Sequence, residues 1–273
     1  MIRILTHALK KLSHEYIVLS ESKSVFILPT QYAQLWKPVQ TKINYETLEK
    51  LSVLRPENRL QYISEACRDK VVLDIGCLDE TALEKRNTKY WLHKRIAQTS
   101  RKVVGIDNSE KIPTEGIRTS DKSIIYRGDG VSPAASYFDQ YNFDIVIAGE
   151  FIEHIESPLL FFKNIKEALP GKELIISTPN GVSFANTLLG TMGREVQHQD
   201  HIHTFTFKIL NTLCQRAKFK KWSIIPYHFY ATEMILSSTG IKRTAAKTAE
   251  VTIKCVERFF PLLSFGYIAR IRL

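Results

Sequence analysis

Four apolar runs rich in Val and Ile, each closing on a small, acidic or turn-forming residue, constrain this chain more than any other feature. They are Lys70-Val-Val-Leu-Asp-Ile-Gly76, Lys102-Val-Val-Gly-Ile-Asp107, Phe143-Asp-Ile-Val-Ile-Ala-Gly-Glu150 and Leu174-Ile-Ile-Ser-Thr-Pro179. Unbroken rather than alternating apolar residues describe strands buried on both faces. Helix-like stretches separate them. One is Thr81–Ser100; the other is Pro158–Leu169, where Leu159, Leu160, Phe162, Ile165 and Leu169 recur at helical spacing before a Pro170-Gly171 stop. Alternating strands and helices predict right-handed crossovers and a doubly wound, mostly parallel α/β sheet with helices on both faces.

Beyond Pro179 the pattern predicts a helix at Thr206–Ala217 and a strand at Lys221–Pro226. It then predicts a mostly helical stretch over 229–264 and a closing edge strand from Ser264 to Leu273. Residues 1–65 carry no chemical motif and are expected to form an N-terminal extension or lid; residues 66–273 form the domain. The four cysteines lack any C-x-x-C spacing, which excludes a disulfide framework and a zinc ribbon. No apolar run approaches the ~20 residues that cross a bilayer, and the first residues lack the pattern of a secretory signal. The expectation is a cytoplasmic protein. Charge is uneven: residues 51–199 carry 19 Lys/Arg against 20 Asp/Glu, so the net +10 belongs to the two ends. For the basic tail a solvated face is the default. A peripheral contact with the anionic inner face of a membrane comes second, favoured by Phe259-Phe-Pro-Leu-Leu263 beside Arg258. Nucleic acid comes third.

In an open parallel sheet, ligands bind beyond the carboxyl ends of the strands, so the acids ending these runs should line one crevice. Asp74-Ile-Gly76-Cys77 turns the first strand toward a helix, and Gly76 permits close backbone approach to a ligand. Asp107-Asn108 closes the second strand where a carboxylate would accept ribose hydroxyls. Arg127-Gly-Asp129-Gly130 follows a short strand at Ser123–Tyr126 and could hold an adenine edge. No phosphate cradle of the G-x-x-x-x-G-K-[ST] or G-x-G-x-x-G kind is present. An acidic nucleoside pocket without a phosphate site suits a cationic cofactor such as S-adenosylmethionine.

These three motifs, together with Phe143-Asp-Ile-Val-Ile-Ala-Gly-Glu-Phe-Ile-Glu-His154, in order and spacing over residues 68–225, resemble the class I S-adenosylmethionine-dependent methyltransferases. The resemblance implies a seven-stranded, Rossmann-like sheet and S-adenosylmethionine as cofactor. It also implies a binding set of Asp74, Gly76, Cys77, Asp107, Asn108, Asp129, Gly130 and Glu150. The chain departs from that family at Gly76-Cys77-Leu78-Asp79-Glu80, where two further glycines are usual. That departure keeps a non-catalytic protein of the same fold in view.

Glu150-Phe-Ile-Glu153-His154 leaves the fourth strand; on a helical turn Glu150, Glu153 and His154 share a face. Gln197-His198-Gln-Asp200-His201-Ile-His203 packs three histidines into six residues. Carboxylates and imidazoles converging on a methyl donor would suit Mg²⁺ or Mn²⁺. The pattern resembles the ubiquinone-pathway and glycan-associated O-methyltransferases, and also the small-RNA 3′-terminal 2′-O-methyltransferases. Those resemblances imply catalytic roles for Glu150 and His154 and a metal set of Glu150, Glu153, His154 and His201. Glu-His-x-x-x-Pro also occurs in metal-free relatives, where His154 would be a general base or a loop anchor. The expected activity is methyl transfer to an oxygen of a small-molecule, sugar (glycan) or lipid-linked acceptor, with RNA 2′-O-methylation as the alternative.

Overall fold

A computed structural model of the chain describes residues 43–78, 88–195 and 197–273, together with the backbone of 16–21 and 24–29. Met1–Val39 and Gln40–Leu273 form separate units. In the first, strands β1 (Tyr16–Glu21) and β2 (Ser24–Pro29) make an antiparallel hairpin in which Tyr16 opposes Pro29.

The second unit is built on one eight-stranded sheet. Its strands are β3 (Val71–Ile75), β4 (Lys102–Asp107), β5 (Ile117–Ser120), β6 (Ser123–Arg127), β7 (Ile145–Gly149), β8 (Glu173–Pro179), β9 (Lys221–Tyr227) and β10 (Gly266–Arg272), ordered β5-β6-β4-β3-β7-β8-β10-β9. The apolar runs form the parallel centre β6-β4-β3-β7-β8. Order reverses at β3, so the β3–β4 and β3–β7 tips open the crevice that such sheets use for ligands.

Two strand expectations need correction. The sheet has eight strands, because Ile117–Ser120 adds an antiparallel edge to β6. Its alternating, half-exposed Ile-Arg-Thr-Ser reads as loop in sequence. The last strand is not an edge: β10 lies between β8 and β9, antiparallel to both, and only Arg272 among its residues is exposed. The edge is β9. Of the predicted Thr81–Ser100 helix, residues 81–87 lie outside the described residues, and the helix observed is Leu92–Thr99.

Helices cover both faces. They are α1 (Arg59–Ala66), α2 (Leu92–Thr99), α3 (Ala135–Gln140), α4 (Pro158–Ala168), α5 (Phe184–Thr191), α6 (Phe207–Arg216), α7 (Thr232–Ser237) and α8 (Gly240–Phe259). Successive strand residues point to opposite faces. Leu73, Ile75, Val104, Ile106 and Ile176 meet Phe161, Phe162 and Ile165 of α4 and Leu210 of α6 in the main core. Asp74, of opposite parity, meets His93 of α2 on the other face. Helix α4 starts where Ser157 accepts from the Leu160 amide and Pro158 takes the first turn. It stops at the predicted Leu169-Pro-Gly, with Gly171 at φ +74. Among the described residues no helix is long and apolar enough to cross a membrane.

Candidate active site

The tips of β3 and β6 converge on one aromatic ring. Gly76 ends β3 at φ +65, and a Cβ there would lie 2.5 Å from the Phe151 ring. A Cβ on Gly130 would lie 2.9 Å from that ring and 2.6 Å from Ile75. A side chain at either position would displace that ring, so the Phe151 ring packs directly on the backbone at both strand tips. Asp107 closes β4 with each oxygen on an amide: Leu78 N–H at 2.9 Å and Ser109 N–H at 2.9 Å. Asn108 beside it is exposed. Asp129 is exposed and caps the Val131 amide at 2.8 Å.

Asp74 faces elsewhere. Its carboxylate accepts from His93 Nδ1 at 2.8 Å, His93 Nε2 meets the Ser123 hydroxyl at 2.6 Å, and Thr119 donates to Ser123 at 2.8 Å. The Asp–His–Ser order is that of a nucleophile relay. None of the three is more than 2% exposed, however, so the chain ties β3, α2 and the β5–β6 hairpin together with no access for a substrate. Cys77 lies beside it, its carbonyl taken by the Trp91 indole N–H at 2.9 Å. Burial, with Asp74 and Asp107 nearby, pushes its thiol well up and keeps it protonated.

The tips of β7, β8 and β9 form a second centre. Glu150 follows β7 at φ +55, a conformation that non-glycine residues adopt rarely and often at functional positions. Its Oε1 accepts from Tyr227 at 2.8 Å and Tyr230 at 2.6 Å, and Arg59 Nε stands 3.7 Å away. Arg59, buried, also donates to the Ser177 hydroxyl at 2.8 Å and lies over both tyrosine rings. Burial would raise the Glu150 carboxyl, but Arg59 and the hydroxyls of Tyr230 and Tyr227 outweigh it and hold the carboxyl below the ordinary glutamate range.

Glu153 differs from Glu150 in every respect. It is 1% exposed, and among the described residues neither carboxylate oxygen makes a hydrogen bond of full geometry, the Thr178 hydroxyl lying near enough only to moderate its charge. Burial, then the Glu150 charge, pushes its carboxyl up to about 8. Ligand atoms of Glu153, His154 and His201 all lie within 4.8 Å of one another. The two imidazoles sit edge to face with centroids 4.5 Å apart. His154 Nδ1 pairs with the Asp200 carbonyl at 3.2 Å, and His201 Nδ1 with Gln197 Oε1 at 3.2 Å. Both partners are acceptors, so both Nδ1 atoms donate, which turns each Nε2 away from those partners, as in metal-binding histidines. Burial, followed by His154 and His198, lowers His201 and favours its neutral form.

Of the four predicted ligands, the structure thus gathers Glu153, His154 and His201. Glu150 stands close enough for its charge to act on Glu153 and His201, but its Oε1 is committed to two tyrosines. Phe161 and Phe162 of α4 are wholly buried in the core and offer no surface to a ligand. His203 hydrogen-bonds the Glu156 carbonyl, away from the cluster. Residues 79 and 80 of the altered glycine loop lie outside the described residues. Sequence reasoning missed Arg59, His93, Tyr227 and Tyr230, which reach the site from distant elements. The one local signal was Asn58, whose side chain caps α1 at the Gln61 amide and so fixes where Arg59 begins the helix.

Comparison with known proteins follows this geometry. Among solved structures, a SAM-dependent methyltransferase from Archaeoglobus fulgidus is 18% identical, over 79% of this chain and 91% of that one, with a TM-score of 0.45. A counterpart from Mesorhizobium loti is 15% identical, over 78% and 98%, with a TM-score of 0.45. The small RNA methyltransferase HEN1 is 17% identical, over 85% of this chain but 27% of that one, with a TM-score of 0.51. No curated protein matches the chain in sequence. The methyltransferase domain family model matches residues 44–224, which takes in the tips of β3, β4, β6, β7 and β8 and both glutamates. The chain belongs to the methyltransferase domain family.

Proposed function

We propose that the protein transfers the methyl group of S-adenosylmethionine to an acceptor hydroxyl, with a divalent cation held by Glu153, His154 and His201 on the acceptor side. One observation carries this reading: a buried carboxyl with no full hydrogen bond among the described residues, a ligand atom of which lies within 4.8 Å of one on each of two imidazoles. An ionisable group kept this way is costly unless something pairs with it. The donor set of one carboxylate and two imidazoles fits Mn²⁺ better than Mg²⁺, which keeps to oxygen ligands, and the outer partners, the Asp200 carbonyl and Gln197, support it.

S-adenosylmethionine supplies an electrophilic methyl on a sulfonium. For its nucleoside the reading uses Gly76 and Gly130, where backbone alone fits, and Asp107, which two amides fix at the tip of β4. Asn108, Asp129 and the Cys77 backbone complete that set. Asp74 acts one layer deeper, through His93. A divalent cation supplies Lewis acidity that makes a hydroxyl easier to ionise. His154 and His201 present their Nε2 atoms and Glu153 its oxygens. Glu150 is clamped through Oε1 and ionised, and it offers its other oxygen to orient the acceptor hydroxyl. The N-terminal extension, residues 1–65, contributes Arg59, whose positive charge keeps Glu150 ionised.

The acceptor in this reading is a small molecule, a sugar or a lipid-linked glycan, met in the cytoplasm. A second reading, methylation of an RNA 3′-terminal 2′-hydroxyl, draws on the Glu153-His154…His201 set and on the fold shared with HEN1. Incubation with radiolabelled S-adenosylmethionine and a panel of hydroxylated acceptors, including RNA ending in a 2′-hydroxyl or a 2′-deoxy nucleotide, separates the two. The reading expects transfer to oxygen that chelator abolishes and Glu153→Gln removes. Transfer indifferent to chelator would overturn the metal assignment. Calorimetry is expected to show no cofactor binding in Asp107→Ala, and unchanged affinity there would overturn the nucleoside assignment.

A further inference from the structure

We propose that α8 is a docking surface for an anionic lipid membrane. It spans 20 residues, yet only Ala246 and Glu257 are buried on it. The inner side is tethered by polar contacts. Glu257 accepts from His228 Nδ1 at 2.9 Å and from the Phe265 and Phe229 amides at 2.8 Å and 3.0 Å, and Glu250 accepts from the Ala231 amide at 2.9 Å.

The outer side follows a different pattern. Ile241, Thr244, Thr248, Val251, Cys255 and Phe259 recur at three- and four-residue steps and form one exposed stripe. Ile241 is 89% exposed, Phe259 77% and the following Phe260 59%. Along one margin of the stripe, Arg243, Lys247, Lys254 and Arg258 repeat at steps of four, seven and four. Both acids of the helix are already engaged, Glu257 internally and Glu250 with Lys254 and Ala231. Arg243, Lys247 and Arg258 have no acid partner among the described residues.

A shallow apolar stripe bordered by cations and ending in two aromatic rings suits insertion into a headgroup layer. Charge decides among occupants. A second copy would bring like charges together, since the whole chain carries +10. An RNA backbone would satisfy the cations but leave Ile241, Val251 and the phenylalanines in water. An anionic bilayer satisfies both. This inference does not depend on the methyl-transfer reading and can be tested without activity.

The test is flotation of the full chain with phosphatidylcholine vesicles, with and without 30% phosphatidylserine. Binding is expected only with phosphatidylserine. Each cation near such a surface contributes about fivefold in affinity, so Arg243→Gln/Lys247→Gln/Arg258→Gln should weaken binding by on the order of a hundredfold. Phe259→Ala/Phe260→Ala should weaken it as well, most visibly at high salt where the apolar part remains. The other three cysteines are buried. An environment-sensitive dye on Cys255 should therefore report on the stripe and shift to the blue with vesicles. Absence of phosphatidylserine binding, or binding unchanged in both variants, would overturn the proposal. So would RNA binding or self-association that these variants abolish while the vesicles stay unbound.

Discussion

Glu153 and Glu173 are buried glutamates at opposite ends of the same sheet, 1% and 4% exposed, and they are treated in opposite ways. Glu173 opens β8 at the amino-terminal end. Its Oε2 meets Lys70 Nζ at 3.0 Å, and its Oε1 pairs with Arg270, itself buried, on the inserted strand β10. Glu153, beyond the carboxyl end of β7, has no full hydrogen bond to either oxygen among the described residues. A fold that pairs one buried carboxylate so fully and leaves the other bare separates two tasks. Glu173 fastens the β3, β8 and β10 margin, whereas Glu153 fastens nothing and is the group that the proposed cation would pair with.

The largest expected effect tests the bare member. Below about pH 4.5, the ordinary glutamate value, Glu153 is protonated in both folded and unfolded chains and has no influence. Between there and about 8, the unfolded chain ionises while the folded one does not, so stability falls as pH rises. Above about 8 the loss is complete. By linkage it amounts to about 4–5 kcal/mol. Glu153→Gln should remove this slope from denaturant unfolding measured between pH 5 and 9. A slope that survives would mean that the carboxyl is paired after all.

The paired member is expected to behave oppositely. Glu173→Ala leaves Arg270 buried and uncompensated, which should cost about 3–5 kcal/mol at neutral pH. A loss below about 1 kcal/mol would erase the contrast between the two ends. Gln197→Ala removes only the group that orients His201, so it should weaken Mn²⁺ binding about tenfold while leaving stability nearly unchanged; calorimetry reads both. The smallest effect belongs to Asn58→Ala. Loss of the α1 cap should cost about 1 kcal/mol and loosen Arg59, read as a small fall in the unfolding midpoint.

The parallel centre of the sheet was legible because its signal is local. Val71–Ile75, Lys102–Asp107 and Ile145–Gly149 are apolar throughout, and each neighbouring residue confirms the next. β5 was not legible: four residues with Arg118 and Ser120 outward look like any polar turn. The placement of β10 was hidden for another reason. An antiparallel strand that slips between β8 and β9 has the same local pattern as one at the edge, and the buried Arg270–Glu173 pair that helps fix it joins residues 97 positions apart. The site divides the same way. Glu153-His154 stood out as contiguous chemistry, and His201 within a dense histidine run. Arg59, Tyr227 and Tyr230 gave no such sign, because what groups them is Glu150, which they reach from α1 and from the end of β9, far away in the chain.

Thermal unfolding of the full chain at pH 8.5, with Mn²⁺ titrated in, decides whether the cluster holds a cation. If Glu153, His154 and His201 await a cation, the midpoint rises steadily with Mn²⁺ in the native chain and stays flat in Glu153→Gln and His201→Ala. An equal rise in all three proteins, or none in the native chain, would contradict the account.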